Sequence, residues 1–325
     1  MDGPTFDDLK VGDTFDSAPR VTLNRGLAAV HHSIVGGRFR LGLDIALSRD
    51  VVGGEFASPA LVTDMAIGQS TLVTQRAIAN LFYRGLSFLR TPVIGDTLAT
   101  TTTIVGLRPV TPKPGRPPRG LVVMRMRTVD QEQRPVLDFH RCAMLPARAE
   151  SAIGVQGLTD VPASEFPLAA LATPVQSWDL SHCGGWSPSF AELKPGAVFK
   201  LRDGDVVSSA PELARLTMNL AAIHHDRTAS SNGERLVYGG HTIGIALAQI
   251  TRALPSLLTV IAWHDCDHVG PVHEGDTLHS EISVEKCEPR EAGGGFVHLR
   301  SQVTATDLAG NKSAVLDWRL IGLFP

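Results

Sequence analysis

The sequence predicts an α+β protein made of two tandem repeats, each a long central helix wrapped by an antiparallel sheet. Three observations carry that reading. First, the chain aligns with itself: FDDLKVGDTF at 6–15 matches FAELKPGAVF at 190–199, GLAAVHH ending at His32 matches NLAAIHH ending at His225, and PALVTDMAIGQ at 59–69 lies over GGHTIGIALAQ at 239–249. GDTL recurs at Gly95 and Gly275, and VLDF at Val136 returns as VLDW at Val315. Matches in one order, with offsets running from 179 (Val136 to Val315) to 193 (His32 to His225), mean a duplication. Second, the stretch 61–81 carries Leu61, Met65, Ile67, Leu72, Ala77, Ile78 and Leu81 with Gly68 as its one interruption, the pattern of a long and mostly buried helix. Third, four β-branched or alternating runs follow in each copy, LFYRGLSFL, DTLATTTTIVGL, GLVVMRMRTVD and VLDFHRCAML in the first, LLTVIAWHDC, DTLHSEISVEK, FVHLRSQVTATD and SAVLDWRLIGL in the second. Bounded by Pro and Gly, they read as antiparallel strands, and a sheet with one apolar face needs a helix to cover it.

The boundaries follow from the repeat. Residues 1–150 form the first unit and 188–325 the second. The stretch 151–187, with Pro162, Pro167 and Pro174 among small residues, is a linker rather than a third core.

Composition excludes several classes of partner. Lys and Arg number 30 against 33 for Asp and Glu, a formal charge of −3, so no field exists to attract nucleic acid or an anionic membrane. The first ten residues, MDGPTFDDLK, are acidic and lack an apolar run, and no stretch approaches the roughly 18 apolar residues of a membrane span. A cytoplasmic location is expected. Cys142, Cys183, Cys266 and Cys287 are scattered without a CxxC pair, which argues against a zinc knuckle and against a disulfide framework.

The chemistry is concentrated in 215–249, RLTMNLAAIHHDRTASSNGERLVYGGHTIGIALAQ, which gathers an amide, two histidines, a carboxylate and a double glycine ahead of an apolar helix. Asn219 and His224 stand five apart on a predicted helix, on neighbouring turns, where they could converge on one small object. Tyr238, Gly239, Gly240 and His241 form a turn feeding the next helix, whose first N–H groups lack partners within it. Such an end holds an oxyanion or a polarised thioester carbonyl.

A helix wrapped by a sheet, duplicated, with GDTL opening a strand and a His segment before the central helix, resembles the MaoC-like double-hotdog dehydratases. That family includes R-specific enoyl-CoA hydratases and mesaconyl-CoA hydratases. The resemblance covers nearly the whole chain, and its most specific parts are NLAAIHHD and RLVYGGH, which look like the catalytic segment and the oxyanion loop. It implies a hydro-lyase acting on an enoyl-CoA or 3-hydroxyacyl-CoA thioester without a cofactor, as a monomer or homodimer. By the motif, His224 is the catalytic acid–base group, Asn219 stands where R-specific hydratases have an Asp, and Gly240 gives the N–H that binds the thioester oxygen. The amide of Asn219 can orient water but cannot take its proton. Tyr238, Gly239, His241, His268 and Asp226 are the substrate-binding candidates; Asp226 alternatively caps the segment, and Tyr238 and His241 alternatively close the turn. The first repeat has Gly26 in place of Asn219 and Leu61 in place of His241, so although His31 persists it reads as the non-catalytic partner.

Two other functions fit the same fold. A hotdog thioesterase would place a carboxylate on the central helix, and Asp64 is the one acid inside it. An acyl-CoA binding protein without turnover would have lost its base. The stretch 263–276, WHDCDHVGPVHEGD, offers possible metal ligands, but on a strand His264, Cys266 and His268 share one face at separations near 7 Å, too far apart for one ion, so no metal is expected. Lys113, Arg116 and Arg119 lie in a proline-rich loop that is a stiff solvated hairpin or a cradle for the phosphates of coenzyme A, with Arg84 and Arg90 as rivals.

Overall fold

The computed structural model describes residues 3–148, 153–230 and 233–325. The predicted boundary at 150/151 lies outside the described residues. All eight predicted runs are strands: β1 Ala79–Phe88, β2 Thr97–Pro109, β3 Arg119–Val129, β4 Pro135–Pro146, β5 Thr259–His268, β6 Thr277–Pro289, β7 Gly295–Thr306 and β8 Lys312–Phe324. With short edge strands they form one 13-stranded antiparallel sheet in which the main order is β2-β3-β4-β1-β5-β8-β7-β6. Each repeat contributes the same four-strand order, mirrored about the β1–β5 pair. That pair sets Ala262 opposite Ser87, Trp263 opposite Leu86 and Cys266 opposite Tyr83, so the repeats share backbone hydrogen bonds as well as a core.

Four helices matter for the site: α1 Arg25–Val35, α2 Pro59–Gln69, α3 Ala210–Leu216 and α4 Gly239–Ala253. The central pair α2 and α4 pack on each other beneath the sheet, and every residue of α2 is buried. The expectation of one helix over 61–81 is corrected: α2 stops at Gln69, a single 3₁₀ turn covers Ser70–Leu72, and β1 begins at Ala79. The hydroxyls of Ser70 and Thr71 fold back onto the Ile67 and Gly68 carbonyls at 2.6 Å, supplying those carbonyls with local partners. Gly68 also meets the second repeat, because a Cβ there would stand 1.6 Å from the Thr217 carbonyl oxygen.

The repeated motifs have one structural meaning in both halves. In GDTL, the Asp96 and Asp276 carboxylates accept from the Val93 and His273 N–H groups at 2.9 and 2.8 Å, closing turns in which Gly95 and Gly275 take φ of 108° and 97°. The Gln ending each central-helix match donates to the strand after that turn, Gln69 to the Leu98 carbonyl at 3.0 Å and Gln249 to the Leu278 carbonyl at 2.8 Å. Among the described residues, no helix is long and apolar enough to cross a membrane.

The segment 153–187 lies against both four-strand groups. Its Gly157 pairs with Gly106 of β2, its Ser164 N–H donates to the His264 carbonyl at 3.1 Å, and Trp178 meets Phe56 edge-on at 6.1 Å. Splitting the chain would expose β1 and β5 as two long unpaired edges. Residues 3–148 and 188–325 made separately are therefore expected to aggregate, and to give one cooperative melt when co-expressed. Size-exclusion chromatography with circular dichroism checks this, and two cooperative monomeric halves would overturn the single-sheet account.

Candidate functional site

The segment 217–229 is not the helix its spacing suggests. α3 ends at Leu216, Met218 takes a left-handed φ of 57°, and Asn219 makes a turn in which its Oδ1 accepts the Ala221 N–H at 2.9 Å. The backbone then bonds to the other repeat, with the Leu220 N–H on Thr71 Oγ1 at 2.9 Å and the Ala222 N–H on the Gln75 carbonyl at 3.0 Å. These contacts between repeats replace the i→i−4 ladder, so Asn219 and His224 do not sit on neighbouring helical turns. His224 ends a short 3₁₀ turn, Ala222–His224.

His224 is held by one bond with a clear tautomeric consequence. Its Nδ1 lies 2.8 Å from the Leu236 carbonyl, which can only accept, so Nδ1 carries the proton and a neutral ring leaves Nε2 bare. Burial pushes its pKa down to about 4, against the Leu236 bond that raises it, and the Arg141 charge lowers it further. The imidazole is neutral at pH 7 and able to take a proton.

A cavity of about 460 Å³ gathers His224 with Tyr238, Gly239 and His268, and on its other wall Asn80, Tyr83 and Arg141 of the first repeat. Tyr238 packs edge-on to His224 with ring centroids 5.8 Å apart. α4 starts here: the His241 N–H is taken by the Tyr238 carbonyl at 2.9 Å, whereas the Gly239 and Gly240 N–H groups stand in the first turn, where no intrahelical acceptor exists. A Cβ on Gly239 would meet His268 Nε2 at 2.7 Å, and one on Gly240 would meet Asp64 Oδ1 at 2.1 Å, so both glycines are demanded by close approach. His268 Nε2 is buried without a partner among the described residues, and burial, then the Arg141 and His224 charges, push its pKa down to about 4.

Behind the cavity lies a sealed hydrogen-bonded trio. The Tyr238 hydroxyl donates to Asp64 Oδ1 at 3.0 Å, and His31 Nε2 contacts Asp64 Oδ2 at 3.0 Å, with all three residues at most 3% exposed. His241 is fully buried next to this group, both ring nitrogens lack partners among the described residues, and burial pushes its pKa down to about 4.

The structure thus brings His224, Tyr238, Gly239 and His268 together, with Gly240 and His241 one layer behind. Asn219 stays outside the cavity wall, its Oδ1 spent on the turn. Asp226 is exposed and its Oδ1 caps a short turn through the Thr228 N–H and hydroxyl at 2.8 and 2.7 Å. His264 does not share a strand face with His268, because the register shifts between Trp263 and Asp265. It turns to the linker, bonding the Ser164 carbonyl through Nδ1 and His298 through Nε2 at 2.9 Å. Arg84 pairs with Asp267 at 2.7 Å and Arg90 with Asp96 and Asp130 at 2.8 and 2.6 Å, so both candidate phosphate ligands are engaged with carboxylates. The sequence reading missed Asn80 and Arg141. Their signal lay in the self-alignment, where an arginine in one repeat faces Leu320 in the other.

His224, His241 and His268 all stay neutral in the folded chain down to about pH 4, while an unfolded histidine protonates near 6.5. Their contribution to stability is therefore complete above pH 6.5 and is lost as pH falls towards 4. Between pH 7.5 and 5 the unfolding free energy is expected to fall by on the order of 2 kcal/mol per ring, measured by urea titration, with no ring resonance of the three titrating above pH 5 by NMR. A flat stability profile would show that the rings are not held neutral.

No protein-family model matches the chain. It is similar to RV0216 of Mycobacterium tuberculosis, a conserved hypothetical protein with a double-hotdog fold: 51% identity, 99% of this chain and 98% of that one, TM-score 0.88. A MaoC domain protein from Chloroflexus aurantiacus superposes with a TM-score of 0.87 at 26% identity, over 99% of this chain and 97% of the other. Among curated proteins, β-methylmalyl-CoA dehydratase of C. aurantiacus is 29% identical over 99% of this chain and 97% of its own length. Mesaconyl-CoA hydratase of Cereibacter sphaeroides is 26% identical over 92% and 88%. The mirrored four-strand order about two packed central helices and these full-length likenesses give one conclusion: the chain belongs to the MaoC-like double-hotdog family.

Proposed function

We propose that the chain is a hydro-lyase that adds water to an enoyl-CoA thioester, or removes it from the 3-hydroxyacyl-CoA, in the cavity beside His224. The observation that carries this is a neutral imidazole with its Nδ1 proton tied to a carbonyl and Nε2 bare, on a cavity that also receives the N-terminus of α4. The full-length relatives that act on CoA thioesters as a dehydratase and a hydratase support it.

In the hydration direction His224 Nε2 takes a proton from water while the water oxygen bonds to the β-carbon. The electron pair of the double bond moves onto the thioester oxygen. First-turn N–H groups of α4, at Gly239 and Gly240, hold that developing charge and contribute on the order of 3 kcal/mol per well-aimed donor. The imidazolium then returns its proton to the α-carbon, so one group serves as base and acid. Asn219 serves this chemistry through the turn it closes, which sets the position of His224. Asp64 is poorly suited to thioester hydrolysis: both of its oxygens are engaged by His31 and Tyr238, and it is 2% exposed.

The test follows enoyl absorbance and free thiol together with crotonyl-CoA and carboxylated or longer enoyl-CoA thioesters. Hydration without thiol release is expected, and His224→Ala should slow it roughly 10²- to 10⁴-fold while thioester affinity stays within a few fold. Thiol release that disappears in Asp64→Asn would instead establish a thioesterase. Saturable binding with no turnover of any thioester would leave a binding protein.

A further inference from the structure

The two central helices begin with different chemistry. In the match of 59–69 with 239–249, Pro59 opens α2 where Gly239 opens α4, and proline has no N–H to offer. The strands differ at the corresponding place. β1 sets Phe88 opposite Leu137 of β4, and β5 sets His268 opposite Leu316 of β8. Leu137 and Leu316 are the second residues of the VLDF and VLDW motifs, so positions 88 and 268 are equivalent in the duplicated sheet. Positions 141 and 320 are equivalent in the same way, set opposite Tyr83 and Trp263. The second repeat thus has a glycine N–H and an imidazole where the first has a proline and a phenyl ring, neither of which donates a hydrogen bond.

In the second repeat the two donors lie together. A Cβ on Gly239 would stand 2.7 Å from His268 Nε2 and 2.8 Å from its Cε1, so this edge of the ring covers the first residue of α4. Tyr83 meets the ring edge-on with centroids 5.9 Å apart, and His268 lines the cavity that holds His224. Its Nε2 is buried and has no partner among the described residues. A buried nitrogen left unpaired costs stability, whereas Phe88 at the sister position is 2% exposed and packs in the core. The fold therefore does not require the histidine. Burial, then the Arg141 and His224 charges, push its pKa down to about 4, so the ring is neutral at pH 7 and carries one N–H.

We propose that His268 donates a hydrogen bond from Nε2 to the thioester oxygen, beside the first-turn N–H groups of α4, so that a helix end and a strand end together hold the developing charge. This rests on the hydro-lyase reading of the same cavity. The two neutral histidines then divide the work. His224 has its N–H tied to the Leu236 carbonyl and meets the ligand with a bare nitrogen, which takes the proton of water. His268 has no such acceptor on Nε2, so its N–H is free for the ligand and stays on the ring throughout. A neutral donor already in place, with water excluded, stabilises charge on the oxygen most where that charge is largest, in the transition state. The paired loss in the first repeat, Gly239 to Pro59 and His268 to Phe88, is what two donors to one ligand atom would show in a repeat that does not bind it.

Two variants test this on the enoyl-CoA thioester that the native protein hydrates fastest. His268→Phe copies the first repeat, and His268→Gln keeps a side-chain N–H on the same wall. His268→Phe is expected to lower kcat roughly 10²- to 10³-fold with KM within a few fold, and to keep or raise the melting temperature. His268→Gln should recover at least about tenfold of the lost rate. A role in packing alone would instead lower the melting temperature and leave kcat in place. The bond is also read without turnover, by carbon-13 NMR of butyryl-CoA labelled at the thioester carbonyl, because a donor on the oxygen draws electrons from that carbon. The bound carbonyl is expected downfield of the free thioester in the native protein and in His268→Gln, and to move back in His268→Phe. A kcat and a carbonyl shift both untouched by His268→Phe would overturn the proposal. Should no enoyl-CoA be hydrated, the hydro-lyase reading fails and the carbonyl shift alone decides: a downfield shift that depends on His268 sustains the donor, and no shift, or one indifferent to His268, overturns it.

Discussion

The Asp64 carboxylate lies where the two central helices meet, and its oxygens take one partner from each repeat, His31 from α1 and the Tyr238 hydroxyl from the turn before α4. A carboxylate so deeply buried is tolerable only when its oxygens are hydrogen-bonded. Gly240 meets the same demand, since any side chain there would strike Asp64 Oδ1 or the Tyr238 ring. Three features of the cavity hang on this contact: the placement of the Tyr238 ring against His224, the close approach of the α4 N-terminus, and the absence of a side chain at Gly240. Glycine at 240 is therefore a packing requirement in its own right.

The two halves of the site come from different repeats. His224 and the helix end belong to the second, while Asn80, Tyr83 and Arg141 belong to β1 and β4 of the first. The β1–β5 pairing fixes their distance through backbone hydrogen bonds, and the cross-repeat bonds of Leu220 and Ala222 fix the His224 segment to the end of α2.

What was legible in the sequence follows from which contacts are local. The duplication, the eight strands and the GDTL turns depend on periodicity and on residues within a few positions of one another, and the self-alignment exposes them directly. The end of α2 was not legible, because the apolar pattern runs on past Gln69 while the helix is stopped by the Ser70 and Thr71 hydroxyls on the Ile67 and Gly68 carbonyls, which leave no mark on that pattern. The same holds for the segment after α3: its composition suits a helix, yet its N–H groups find Thr71 and Gln75 instead. His224, Tyr238, Gly239 and His268 could be found because a motif marks three of them and a histidine cluster the fourth. Arg141 carries no motif, and on a strand rich in apolar residues it stands out only beside Leu320 of the sister strand.

A symmetric homodimer obliges every residue to serve at two places, since one gene sets both. Joining the units in one polypeptide lifts that obligation. Position 141 can hold an ion while its equivalent, 320, holds an aliphatic side chain, where identical subunits would bury two guanidinium groups or none. The join also removes dilution from the matter: tethered units meet at an effective concentration on the order of millimolar or more whatever the amount of protein. The composite cavity is thus a unimolecular property of this chain, and its two walls are free to diverge in sequence without ceasing to meet.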